Sequence, residues 1–256
     1  MNPQGSPAGG LALCTADDGT FWPWLSWPKI GAWPNPERTV VVLPLAGIAD
    51  WGLGHPLDAE ETVLMNVIRG ASVLAPETRK PLVVPPMRFA FGSESGCAFH
   101  VDQPTAHALI AEVAASIATA GFRKIAIVNA SPWSEELCSA AARDLRVSRG
   151  LHMFQIHLSA IGLDFHPVRS RSRQKLQTLL TALNGREPES TDLPDAERRA
   201  GGWGDESVIS LKDAAVSLAK AQIEGATILS DAAKRLAALI SDIHECSPLS
   251  VTLRPT

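Results

Sequence analysis

The stretch Val101–Asn129, VDQPTAHALIAEVAASIATAGFRKIAIVN, contains the two kinds of element that decide this fold. Pro104 is suited to the start of a helix and Gly121 to its end, and the apolar residues between them recur at helical spacing. This pattern predicts a helix over Thr105–Ala120. The β-branched run Lys124–Asn129 follows at once and predicts a strand. Helices that alternate with short apolar strands are typical of a mainly parallel sheet.

The alternation continues in both directions from this stretch. A strand is predicted at Thr39–Leu43, where a short apolar run ends at Pro44 and suits a position buried on both faces of a sheet. Further strands are predicted at Leu82–Val84 and Leu151–Leu158. Helices are predicted at Glu61–Leu74, Ser134–Arg146, Ser170–Leu183 and Leu211–Ile243, the last with a break near Gly225 as one alternative. The predicted fold class is α/β, a three-layer sandwich with a mainly parallel sheet and helices on both faces.

The first 38 residues differ in composition from the rest. Residues 1–20 are rich in Gly, Ala, Ser and Pro, which predicts a segment that is disordered or loosely docked. The segment Phe21–Pro36 holds four of the seven tryptophans and four prolines, so we expect an extended arm rather than a regular helix. The arm packs either on its own domain or on a neighbouring subunit. The predicted division is therefore an arm at 1–38 and one α/β domain at 39–256.

Composition narrows the possible partners. The chain has 256 residues and a formal net charge of −4, and its basic residues are scattered, so nucleic acid is not expected as a partner. The four cysteines are far apart and read as reduced thiols, which predicts a cytoplasmic protein. No stretch approaches the roughly 20 apolar residues that cross a bilayer, and no export signal is evident.

Several local strings resemble the creatininase (creatinine amidohydrolase) family. Residues 43–60, LPLAGIADWGLGHPLDAE, keep the frame of the family's LPxGSxEQHGPHLPLxTD loop without a gap. Residues 82–96 resemble its LPPLPYGxSxEH segment, and residues 101–131 resemble the helix and strand that lead to its NGHGGN motif. Residues 201–240 resemble its GVxGDPxxAT segment and closing helix. The resemblance covers residues 39–243.

The resemblance implies amide C–N hydrolysis by two divalent metals, but it also implies that most of the metal ligands are replaced in this chain. The family's first glutamate falls on Ala49, its histidine on Trp51, its bridging aspartate on Glu60 and its NGHGGN histidine on Ser131. A further glutamate is expected after the fourth strand, where this chain has Asp164-Phe165-His166-Pro167. We therefore expect no metal, and a pocket formed by Asp50, Trp51, Glu60, Ser131 and Trp133.

Other clusters leave alternatives open. His55, Asp58 and Glu60, with Asp50 and Glu61 nearby, could hold one zinc or manganese ion in a new arrangement, or could form a solvated acidic loop with a helix cap. The remaining polar residues could bind a ligand, but each also has a structural interpretation. Asp102, two residues after His100, and Ser131 or Ser134 could cap helices. His152 and His157 could be core histidines, and Arg169, Arg171 and Arg173 could form the charged start of a helix.

Three functional hypotheses follow. The first is a non-catalytic creatininase-like protein that binds a small molecule or assembles as a homo-oligomer or hetero-oligomer. The second is a hydrolase of an amide or cyclic amide with one metal held by His55, Asp58 and Glu60. The third is a metal-independent enzyme in which Asp50 or Glu60 acts as a general base, whose sign would be a carboxylate with a raised pKa in a dry pocket.

Overall fold

The computed structural model describes residues 19–49, 51, 56–91, 97–164, 173–187 and 217–247. Its helices are α1 Trp27–Gly31, α2 Ala59–Leu74, α3 Gln103–Thr119, α4 Glu135–Arg149, α5 Arg173–Asn184 and α6 Leu218–Glu245. Its strands are β1 Val40–Ala46, β2 Ile48–Ala49, β3 Leu82–Val83, β4 Met87–Arg88, β5 Ala90–Phe91, β6 Cys97–Ala98, β7 His100–Val101, β8 Lys124–Asn129 and β9 His152–His157. The predicted strands correspond to β1, β3, β8 and β9, and the predicted helices correspond to α2–α6. These predictions are confirmed for the described residues, with ends that differ by a few residues.

The main sheet is parallel throughout the described residues and has the order β3-β1-β8-β9, with β4 also paired to β1. Because successive side chains of a strand point to opposite faces, β1 contributes to two cores. Val40 and Val42 pack with α2, α5 and α6 on one face, and Val41 and Leu43 pack with α3 and α4 on the other. The predicted three-layer α/β architecture is confirmed.

The first strand continues through Pro44, so the prediction that Pro44 ends it is wrong. The Val42 carbonyl accepts from the Val84 N–H, which places this side of β1 against β3. Pro44 has the same parity as Val42, so the donor that it lacks would point to the same side. The pairing is interrupted there between β3 and β4, at Pro85 and Pro86. The proline is therefore tolerated at the point where the ladder between β1 and β3 ends.

The Trp/Pro segment is not a purely extended arm, so that prediction is wrong in part. Trp22–Trp24 forms a 3₁₀ turn and α1 follows, with a proline at the start of each. A proline in the first helical turn removes only a donor that has no helical partner. The Phe21 backbone pairs with Val83 at the sheet edge, and the Trp22 ring lies 5.2 Å from that of Phe122. These contacts dock the segment on its own domain.

Helix α6 runs without a break through Gly225, where a Cβ would lie 2.6 Å from the Ala182 Cβ of α5. The glycine therefore allows α5 and α6 to approach closely, and the alternative of a broken helix is wrong for this part of the chain. The end of α6 is held by the buried Lys124, whose Nζ donates to the carbonyls of Ile243, His244 and Cys246 at 3.0, 2.6 and 2.7 Å. These bonds satisfy acceptors that the last helical turn leaves open.

Candidate functional site

The carboxyl ends of β1, β8 and β9 meet at one edge of the sheet, where Leu45 pairs with Asn129 and Asn129 with His157. This is the edge at which parallel α/β sheets place their ligands. Two segments leave the edge and carry the polar residues of the candidate site. Gly47 follows β1, and Ser131 follows β8.

Glu60, in the first turn of α2, is buried and points its carboxyl at this edge. The Gly47 N–H donates to Glu60 Oε2 at 2.6 Å. Burial raises the pKa of Glu60 to about 7, and the hydrogen bonds from the Gly47 backbone and the Ser131 side chain oppose that rise. Among the described residues, Oε1 has no hydrogen-bond partner. Glu60 is therefore a carboxyl group that is partly protonated at neutral pH.

Gly47 is needed for this arrangement. A Cβ on this residue would lie 2.9 Å from Glu60 Oε2 and 3.4 Å from Ser131 Oγ. A side chain would therefore push the carboxyl away from the backbone N–H that binds it. Gly47 lies within the string 43–60, but the sequence does not indicate its role. The reason is that its contact with Glu60 joins residues on different elements.

Asn129 organises the segment that follows β8. Its Nδ2 donates to the Ser131 carbonyl at 2.7 Å, and its Oδ1 accepts from the Ser131 N–H at 3.0 Å. Nδ2 also lies 3.2 Å from His157 Nδ1. Since the amide nitrogen is a donor, His157 Nδ1 acts as the acceptor, and the neutral ring carries its proton on Nε2. Asn129 therefore fixes both the position of Ser131 and the tautomer of His157.

Trp51 and Trp133 form an aromatic pair beside these polar groups. Their ring centroids are 5.4 Å apart, and the planes are tilted by 40°. Trp51 is buried, and Trp133 is partly buried against the same core. Trp133 comes two residues after Ser131, so the pair ties the loop after β2 to the segment after β8. Aromatic surface thus occupies two of the positions that we predicted to line the pocket.

The remaining predicted site residues lie in different settings. Ala49 is buried in β2, and its N–H donates to the Leu57 carbonyl at 3.1 Å. Asp58 precedes α2 without a side-chain capping bond. Asp50 and His55 lie outside the described residues. In the part of the chain that the structure describes, no three His, Cys, Asp or Glu side chains form a group able to hold a metal ion.

The interpretation of this loop as a solvated acidic cluster is wrong for Glu60 and Glu61, because both are buried. Glu61 makes a bidentate ion pair with Arg88 of β4: Arg88 Nε donates to Glu61 Oε2 at 2.6 Å and Nη2 donates to Oε1 at 2.8 Å. The two neighbouring glutamates thus have different states. Glu61 is neutralised by a guanidinium, whereas Glu60 faces only neutral donors among its described partners.

Of the two predicted helix caps, one is present and the other is not. Asp102 caps α3 as predicted, and its Oδ1 accepts from the Thr105 N–H at 2.8 Å. The cap assigned to Ser131 or Ser134 is wrong, because Ser134 occupies the N-cap position of α4 without a side-chain bond and Ser131 bonds to Glu60 instead. The Ser159 hydroxyl donates to Glu135 Oε1 at 2.7 Å, which joins the start of α4 to the residues after β9.

Predictions farther from this edge have mixed outcomes. His100 is exposed in β7, and His152 is buried, as expected of a core histidine. Arg169, Arg171 and the segment 165–167 lie outside the described residues, and Asp164 is partly exposed before them. None of the described helices is both long enough and apolar enough to cross a membrane.

Comparison with known proteins identifies relatives of this architecture. A family model described as creatininase, creatinine amidohydrolase, matches residues 24–210. A Bacteroides fragilis NCTC 9343 protein described as a creatinine amidohydrolase aligns with a TM-score of 0.64 at 13% identity, over 90% of this chain and 98% of that one. No curated protein matches this chain.

Two further solved structures carry metals in their descriptions. A creatininase variant of Zn–Zn type aligns with a TM-score of 0.58 at 17% identity, over 89% of this chain and 99% of that one. A manganese creatininase aligns with a TM-score of 0.58 at 16% identity, over the same shares. At these identities the likeness to solved structures establishes the fold alone.

Proposed function

Since this chain belongs to the creatininase (creatinine amidohydrolase) family, we propose that it is a non-catalytic member that works by binding a small metabolite or another subunit. One observation carries the proposal. Two positions of the family's metal ligands hold Ala49 and Trp51, and the Trp51 ring packs on that of Trp133 with centroids 5.4 Å apart. Neither side chain can bind a metal, and the aromatic pair takes space that a hydrated two-metal cavity would need. The buried Glu60, with a pKa of about 7, is the sign expected of the alternative in which it acts as a general base.

The residues at the other ligand positions do not fit two divalent metals either. Zinc and manganese bind imidazole and carboxylate groups. Ala49 has no donor atom, and the Trp51 indole is a donor only. Ser131 offers a neutral hydroxyl that is hydrogen-bonded to Glu60. The resemblance that suggests the reaction therefore also argues against its two-metal form in this chain.

The same edge offers features suited to a small organic ligand. The Trp51–Trp133 pair supplies aromatic surface, and the Asn129–His157 pair supplies a defined donor and acceptor pattern. A mostly apolar lining with few fixed polar groups is common in small-molecule sites. Glu60 in its protonated form can donate a hydrogen bond as well as accept one.

Assembly and location are part of the proposal. Trp24 and Trp27 are 51% and 72% exposed, although neighbouring parts of the same segment are docked on the domain. Tryptophan is enriched in protein interfaces, which supports a homo-oligomer or a hetero-oligomer built through this segment. Cys138 and Cys246 form no disulfide with another described residue, which supports a cytoplasmic location.

The test is elemental analysis of the purified protein after incubation with zinc or manganese, combined with native mass determination. We expect well under one metal per chain, a particle larger than the monomer, and no turnover of creatinine or other cyclic amides. A monomer without any copurifying subunit would contradict the oligomeric part of the proposal.

Two outcomes would overturn the non-catalytic assignment in distinct ways. One retained metal per chain, released by His55→Ala but not by His100→Ala, would identify a one-metal hydrolase built on His55, Asp58 and Glu60. Turnover that persists without metal and disappears in Glu60→Gln would identify Glu60 as a general base. In either case the family's hydrolytic activity would have been kept by a rearranged site.

A further inference from the structure

A cavity lies at the opposite ends of the strands from the candidate site. It has a volume of about 560 Å³ and is lined by the residues that precede β1, those that precede β3 and the end of α6. Thr39 lies directly before β1, whereas Gly47 of the first site follows its last residue. The seven residues of β1, at roughly 3.3 Å each, separate the two sites by about 23 Å. The cavity is therefore independent of the edge that carries Glu60.

Among the described residues that line this cavity, cationic side chains outnumber carboxylates. Its lining includes three cationic side chains, Arg38, Arg79 and Lys80, and two carboxylates, Glu77 and Glu245. Lys80 pairs with Glu77 at 2.7 Å, and Arg79 pairs with Glu245 at 2.9 Å. The two carboxylates thus each neutralise one cation. The charge of Arg38 is left in excess.

Arg38 is the cation best placed to bind a ligand. Its guanidinium comes only to 3.7 Å from Glu245, beyond hydrogen-bonding distance, and the side chain is 60% exposed. Glu245 already accepts from the nearer Arg79. A guanidinium carries five N–H donors in a planar fork, which matches the oxygens of a carboxylate or a phosphate.

The wall that carries Arg38 is held by several hydrogen bonds to one carbonyl. Asn35 has a φ of 52°, in the left-handed region, and its carbonyl accepts three hydrogen bonds. These come from the Arg38 N–H at 3.0 Å, the Thr39 N–H at 3.1 Å and the Thr39 hydroxyl at 3.1 Å. A preorganised backbone lowers the entropy that a ligand would have to offset.

The same wall contains an aromatic ring in a fixed orientation. Trp33 Nε1 donates to Thr39 Oγ1 at 3.1 Å, so the indole nitrogen is bonded to the protein. Trp33 and Pro34 both line the cavity beside Arg38. The volume lies within the range of about 300–1,000 Å³ that is usual for small-molecule sites. The cavity therefore combines an apolar surface with a cation in excess.

We propose that this cavity binds a small organic oxyanion, a carboxylate or a phosphate monoester attached to an aromatic or similarly flat group. The oxyanion would accept hydrogen bonds from the Arg38 guanidinium, and the flat group would pack on Trp33. The site lies away from the positions that correspond to the family's metal ligands. The proposal therefore does not depend on whether those positions are catalytic.

The test is isothermal titration calorimetry of the full chain with phenyl phosphate and with benzoate, which distinguish the phosphate from the carboxylate source, and with inorganic phosphate as the anion without a ring. We expect saturable one-site binding of at least one aromatic anion, at least ten times tighter than that of inorganic phosphate. Arg38→Gln should weaken this binding tenfold or more.

Arg149→Gln is the matched control. Arg149 is also about half exposed and also lies near one glutamate, at 3.9 Å from Glu112, but it is not among the residues that line the cavity. Exposed pairs of this kind contribute little to stability, so both variants should fold. Absence of saturable binding by both aromatic anions, equal affinity in the two variants, or equal affinity for inorganic phosphate would overturn the proposal.

Discussion

Replacing Glu60 with glutamine should raise the free energy of unfolding of this protein at alkaline pH. The gain over the wild type should be much smaller at acidic pH. Burial raises the pKa of Glu60 from 4.5 to about 7. A carboxyl whose folded pKa is raised contributes stability that is fully present below the unfolded pKa and is lost as the pH rises through the folded pKa. The relevant window is therefore pH 4.5 to 7, and above it the folded state carries the full cost of a buried charge.

The size of the effect follows from the shift. A shift from 4.5 to about 7 corresponds to about 3 kcal/mol at high pH. Between pH 5 and pH 8 the wild type should lose about 2.5 kcal/mol relative to Glu60→Gln. The glutamine is a suitable neutral replacement, because its carbonyl oxygen can accept from the Gly47 N–H at the place of Oε2. Its amide would take the place of Oε1, which has no partner among the described residues.

The assay is urea unfolding followed by fluorescence, since the chain has seven tryptophans. Both proteins are measured from pH 5 to pH 8, and the difference in free energy of unfolding is plotted against pH. Glu112→Gln is the control, because Glu112 is largely exposed and its pair with Arg149 spans 3.9 Å. A constant difference between wild type and Glu60→Gln across this range would refute the reasoning, as would a less stable variant at pH 8.

Three further predictions concern stability and can be checked by the same unfolding assay. Lys124→Met should destabilise the protein by about 2–4 kcal/mol, because three carbonyls at the end of α6 lose their buried donor; an unchanged midpoint would contradict this role. Gly225→Ala should cost about 1–3 kcal/mol despite the better helix propensity of alanine, since the new Cβ would lie 2.6 Å from that of Ala182. Gly31→Ala, where nothing lies within 4 Å, is its control and should be nearly neutral. Arg88→Met should cost about 1–3 kcal/mol by leaving the Glu61 carboxylate buried without its guanidinium, and a smaller loss in Arg88→Lys would support that cause.

Most of the fold could be predicted because its elements have local signatures. The β8 strand was predicted at Lys124–Asn129, where the structure has it, because its apolar run is bounded by helices. The predicted start of α3 near Pro104 follows from Asp102 and Pro104, a cap and a first-turn proline. The ends were less predictable. The sequence pattern predicts that β1 ends at Pro44, but the cost of a proline depends on which neighbouring strand its missing donor would face. The sequence of a single strand does not contain that information.

The candidate site was less predictable for the same reason. Sequence motifs gave the positions of Ala49, Trp51, Glu60 and Ser131, and the loss of ligand types there is visible from residue chemistry. They did not indicate that Glu60 and Glu61, adjacent in the chain, have different partners. Glu61 meets Arg88, 27 residues away, whereas Glu60 meets a backbone N–H. Likewise, the aromatic pair Trp51–Trp133 joins two loops 82 residues apart, whose meeting is set by the order of the strands.

The sequence by itself determined the alternation of helices and strands, the parallel α/β class and the chemical types available at each motif position, because these depend on local periodicity and residue identity. Only the tertiary structure decided the protonation of Glu60, the ion pair of Glu61 and the existence of a cationic cavity at the far edge. Each of these depends on desolvation and on charges brought within a few ångströms by distant parts of the chain. Spacing along the sequence does not specify such distances.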